Sequence, residues 1–165
     1  MVLRLPQKLN DRLKGGSLAT LPLHENPLID WSIRTFAVDR SEYVLLSNTP
    51  SHYCVVPSGI NVTDMTQFTE RIVDAIRAVL EGVGCGAVAH GVESVRFAKY
   101  LDRSGTGSMN ELAAHATAFL ADGDLSVQEV GGRLNEVLLS ALGRGTQKYG
   151  RPRDEFAALV ARAGG

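Results

Sequence analysis

The chain is poor in the residues that would narrow its chemistry at once. Two cysteines, one tryptophan and 6% aromatics are spread over 165 residues. Cys54 and Cys85 have no C-x-x-C spacing, and Cys54 sits in the apolar run YCVV, where a thiol behaves as a small hydrophobe. A disulfide scaffold and a thioredoxin-type redox motif are therefore excluded. The four histidines (His24, His52, His90 and His115) form no H-E-x-x-H motif and no cluster with cysteine, so no metal site is expected. Long hydrophobic runs are missing too: Glu81 and His90 break the longest, Val79 to Val92, below the roughly 18 residues of a membrane span. The opening MVLRLPQKLN returns to charge too early for a signal-peptide core, and a cytoplasmic location is expected. Nor does one sign of charge prevail, the net charge being −1.

What is present describes one folded domain over residues 1–165. The chain is 44% apolar and 21% charged, too apolar for disorder, and a chain of this length buries roughly 70% of its unfolded surface. The charge is unevenly placed. Residues 1–16 carry four basic side chains against one acidic and residues 133–165 carry six against three, so each end is +3 and the middle −7. Two basic ends on one face would steer an anionic partner. Alternatively, each end neutralises the acidic middle.

Periodicity divides the chain. Val2 to Leu5 reads as a strand, Pro6 as the first residue of a helix carrying Leu9 and Leu13, and residues 17–30 as a long loop. From Trp31 the period is two: Trp31, Ile33 and Thr35 face one way, Ser32 and Arg34 the other. Tyr43–Ser47 and Tyr53–Val56 follow after short turns, which predicts an antiparallel meander, since such connections cannot cross over. A helix with Phe68, Ile72, Ile76, Val79 and Leu80 on one face is expected to start near Thr63 or Asp64. Val95 and Phe97 suggest a fourth strand ending in a loop, Asp102 to Gly107. Two S-x-x-E patterns, Ser108/Glu111 and Ser126/Glu129, then predict capping boxes, the second helix running to Gly143. A last helix spans about Pro152 to Ala163. The expected fold is α+β: a small antiparallel sheet of about four strands, mostly from the N-terminal half, packed against helices from the C-terminal half.

Three stretches are similar to a bacterial family characterised only as a domain of unknown function. They are Arg4-Leu5-Pro6-Gln7-Lys8-Leu9 against R-x-T-Q-K-L; Trp31, Asn48 and Pro57 in a tryptophan-led strand pair; and Asp102 to Glu111 against N-R-S-V-L-G-S-M-N-D. Pro6, Asp102 and Gly105-Thr106 depart from that pattern. The resemblance implies a bacterial, intracellular protein and supplies positions without chemistry.

The segment Arg103 to Asn110 (RSGTGSMN) reads as a glycine-rich loop opening a helix, whose free N–H groups favour an anion. It lacks the GK[ST] ending of a P-loop, and Asn110 replaces the third glycine of a dinucleotide fingerprint. With no cofactor motif, none is expected. The candidate ligand residues are Arg103, Ser104, Gly107, Ser108 and Asn110, with Lys8, Trp31 and Asn48 from the other similar stretches. The leading reading is a non-enzymatic binding or interaction domain for an anionic ligand or a protein partner. One alternative is an enzyme acting on a phosphate or ester through Ser108, although the G-x-S-x-G elbow is missing and His115 lies two helical turns away. The other is nucleic-acid binding through Arg144, Lys148, Tyr149, Arg151 and Arg153, which otherwise form a basic linker.

Overall fold

A computed structural model describes residues 1–163. The strands are β1 (Val2–Arg4), β2 (Asp30–Val38), β3 (Ser41–Asn48), β4 (Cys54–Val55) and β5 (Arg96–Ala98). They form one mixed sheet in the order β4-β3-β2-β1-β5. The expected meander is β2-β3-β4, antiparallel with Trp31 opposite Asn48 and Leu46 opposite Val55. The sheet as a whole departs from the antiparallel, four-stranded expectation, because β1 lies between β2 and β5 and runs parallel to both. The physical reason is chain length: β1 reaches β2 through a helix and a long loop, and such a connection permits the crossover that a short turn forbids.

The helices are α1 (Gln7–Arg12), α2 (Met65–Gly82), α3 (Gly86–His90), α4 (Arg103–Ala121), α5 (Val127–Leu134) and α6 (Pro152–Ala163), with short 3-10 turns at Pro27–Ile29 and Ser140–Leu142. They cover both faces of the sheet, and α1 and α2 come from the N-terminal half, not the C-terminal half as expected. Strand β2 explains why. Trp31 and Ile33 point to a core shared with Leu9, Leu13, Phe68, Ile72, Ile76, Leu80 and Phe156. Phe36, on its opposite face, joins Leu45, Cys54, Met109, Leu112, Ala116, Val130 and Leu134. A strand with large apolar groups on both faces is stable only between two layers.

The helix starts differ from the expectations at two places. Pro6 caps α1 rather than opening it, with extended backbone (φ −69°, ψ 146°). More consequentially, α4 begins at Arg103 and not at Ser108, since the Asp102 side chain accepts the Gly105 amide at 2.8 Å. Ser108 is thus an interior helical residue, 5% exposed. The second box is as expected: Ser126 and Glu129 cap α5 reciprocally. That helix stops at Leu134 rather than running to Gly143, because the Asn135 side chain leaves the helix to bond Cys54. Its Oδ1 accepts the Cys54 amide at 2.7 Å and its Nδ2 donates to the Cys54 carbonyl at 3.0 Å.

Candidate functional site

A concave surface lined by polar groups from three parts of the chain lies where the β3–β4 turn meets the start of α4. Ser32 projects from β2 toward α4, and its hydroxyl is 3.0 Å from that of Thr49. The turn is closed by bonds from the Asn48 amide to the Tyr53 carbonyl and from the His52 amide to the Asn48 carbonyl, both 2.8 Å. Inside it, Ser51 donates to Asn48 Oδ1 at 2.6 Å. This closure holds His52 at φ 56°, a left-handed conformation uncommon outside glycine. The far wall is Tyr100, whose hydroxyl donates to the Ile33 carbonyl at 2.6 Å, followed by Asp102 and Ser104. Met109 and Ala141 close the floor of a cleft of about 140 Å³.

Its electrostatics differ from those of an open helix terminus. The N-terminal amides of α4 face a resident carboxylate, Asp102, which takes the Gly105 N–H and so occupies the place an anion would seek. Burial lowers the pKa of His52, with the Asp102 charge opposing the shift, so the imidazole is neutral at pH 7. The cleft therefore presents hydroxyls, a neutral imidazole and one carboxylate. At about 140 Å³ it falls below the roughly 300–1,000 Å³ of pockets that take drug-sized ligands.

The candidate residues chosen from the sequence are dispersed. Ser104 lines this cleft, while Arg103, Gly107 and Asn110 lie on exposed helix surface. A Cβ on Gly107 would meet nothing within 4 Å. Ser108 is buried beside Met109 and is not among the cleft residues. Trp31 and Asn48 are fully buried: the indole donates to the Leu28 carbonyl at 2.9 Å, and the Asn48 amide donates to the Pro27 carbonyl at 2.8 Å. Lys8 is exposed on α1, at a different cleft. Sequence reasoning did not single out His52 from the other histidines, and met Asp102 only as a departure from the similar family's pattern. The available signal for Asp102 was its residue type, a preferred N-cap.

The C-terminal basic segment is largely tied to its own surroundings. Arg144 pairs with Glu155 at 2.5 Å and Arg153 with Glu136 at 2.6 Å, whereas Lys148, Tyr149 and Arg151 are exposed. At the other end, Arg4 and Arg12 pair with Asp30 and Glu42 of the acidic middle. Burial raises the Cys54 thiol to about 12, removing it as a nucleophile at neutral pH. Among the described residues no group of three His, Cys, Asp or Glu is placed to hold a metal, and no helix is long and apolar enough to cross a membrane.

A family model described as a domain of unknown function (DUF6933) matches residues 2–155, which span every strand and both clefts. No curated protein and no solved structure matches the chain.

Proposed function

Because the chain belongs to the domain of unknown function family DUF6933, its role has to come from its own geometry, and we propose that it is a binding domain for a small polar ligand held between the β3–β4 turn and α4. The observation that carries this reading is the convergence of Ser32, Thr49, His52, Asp102 and Ser104 on one cleft. These groups come from β2, the turn and α4, and packing alone does not call for five polar side chains there. The Asp102 carboxylate selects against anions and favours a ligand that brings hydrogen-bond donors, such as a small amine or polyol. His52, neutral and held in place by its turn, offers one donor and one acceptor.

Asn caps a helix as well as Asp, so Asp102→Asn removes the charge and keeps α4. A set of small amines and polyols is titrated into the ¹⁵N-labelled protein. Binding should shift the amides of Thr49, His52 and Gly105 together, and amines should bind at least tenfold more weakly to Asp102→Asn at an unchanged melting temperature. If no compound shifts these amides, the reading is wrong.

A further inference from the structure

A second cleft lies along β2 beyond the end of β1, where Arg34 and Thr35 border it from the open edge of the strand, and its chemistry is the opposite. Strand β1 stops at Arg4, opposite Ser32, whereas β2 continues to Val38. The chain turns there into α1, leaving a cleft of about 270 Å³ between that helix and the far half of β2. Lys8 and Arg12 reach it from α1, Arg34 and Thr35 from β2, and Glu42 from β3. Three cations thus meet one carboxylate. Glu42 is already engaged: Arg12 grips both of its oxygens, at 2.6 and 2.8 Å. Hydrogen bonding from Arg12 lowers the Glu42 pKa, with further help from Thr35 and the Lys8 charge.

That leaves Lys8 and Arg34 with no carboxylate of their own. Neither makes an ion pair or a side-chain hydrogen bond among the described residues. The Nε–H of Arg34 is moreover buried with no acceptor, a condition that folded proteins rarely leave unmet. A guanidinium with a shielded, unused donor, beside a lysine and a neutralised Arg–Glu pair, is a site lacking its anion. We propose that this cleft binds a small oxyanion, a phosphate or carboxylate group, between Arg34 and Lys8. Its lining shares no residue with the Asp102 cleft, which disfavours anions.

Calorimetric titration of the full chain at constant ionic strength tests this, with inorganic phosphate in one arm and acetate in the other. Saturable one-site binding of either anion is expected, and the two arms separate the phosphate from the carboxylate source. Arg34→Gln should weaken binding at least tenfold and Lys8→Gln several-fold, while Asp102→Asn leaves it unchanged. Lys8 is on the exposed face of α1, so its variant decides the matter even if Arg34→Gln does not fold. Absence of saturation by both anions, or undiminished binding in Lys8→Gln or in a folded Arg34→Gln, overturns the proposal.

Discussion

The guanidinium of Arg4 meets the carboxylate of Asp30 in two parallel hydrogen bonds, Nε to Oδ1 and Nη2 to Oδ2, each 2.7 Å, and both residues are fully buried. The other Arg4 donors reach the carbonyls of Leu21, Pro22 and Lys99, and Asp30 also accepts the His24 amide at 2.9 Å. One side chain thus joins β1, the long loop, β2 and the end of β5, which is how a three-residue parallel strand is held between two others. Removing one partner strands a buried charge, at about 3–5 kcal/mol. Arg4→Met should therefore lower the unfolding free energy by about that amount in urea denaturation, and Arg4→Met/Asp30→Asn should lose less than the two single changes together. A loss below about 1 kcal/mol in Arg4→Met would show that the pair is dispensable.

Asn135 acts as one more residue of sheet. Its amide pairs with both the N–H and the C=O of Cys54 on the edge strand β4, covering an edge that would otherwise be open. Asn135→Ala leaves two buried backbone groups unsatisfied, at about 1–3 kcal/mol each. Hydrogen exchange at the Cys54 amide should accelerate by at least tenfold, more than at Leu46 in the sheet interior. Equal protection in the variant would assign the edge to other contacts.

These two polar links mark where the fold ceased to be legible in the sequence. Local signals were readable: the period-two run from Trp31, the face of Phe68, Ile72 and Ile76, and the Ser126/Glu129 box all depend on neighbours a few residues away. The Ser108/Glu111 pattern has the same form and led to the wrong helix start. Asp102 provides a cap six residues upstream, and α4 then accommodates Gly105 and Gly107, each costing about 1 kcal/mol relative to Ala, because Met109, Leu112, Ala113 and Ala116 are buried along its length. Parallel pairing of β1 was hidden for a related reason, since it rests on Arg4 meeting Asp30 across a crossover. At the candidate sites, the sequence pointed to Ser104 and Lys8 but did not single out His52, Asp102 or Arg34, whose surroundings are assembled only by the fold.

Two glycines should respond to alanine with opposite signs. At Gly150, whose N–H and C=O pair with Leu139, a Cβ would lie 2.6 Å from the Leu142 carbonyl oxygen, a backbone atom that cannot swing away. Gly132 is an exposed residue of α5, where a Cβ would meet nothing within 4 Å. Gly150→Ala should destabilise by about 1–3 kcal/mol through overpacking. Gly132→Ala should stabilise by about 0.5–1 kcal/mol through helix propensity. Thermal melts of the two variants beside the wild type check both signs: a Gly150→Ala variant no less stable than the wild type would contradict the packing at the Leu139–Gly150 bridge, and a destabilised Gly132→Ala the open surface of α5.

The pH dependence of stability reports on His52. Its pKa is lowered from the ordinary 6.5, first by burial, with the Asp102 charge pulling the other way. Below pH 6.5 the unfolded chain therefore binds a proton that the folded protein resists. Stability rises with pH where the unfolded state holds more protons, so the His52 contribution is complete above about pH 6.5 and is lost as the pH falls toward the folded value. Asn tolerates the left-handed conformation that His52 adopts at φ 56°, so His52→Asn keeps the turn and removes the titration. Between pH 7 and pH 5 its melting temperature should fall less than that of the wild type. In Asp102→Asn it should fall more, because the opposing charge is gone and the folded imidazole resists protonation further. If His52→Asn and the wild type fall equally, His52 titrates as it would in water and is not the shielded, neutral group that the cleft requires.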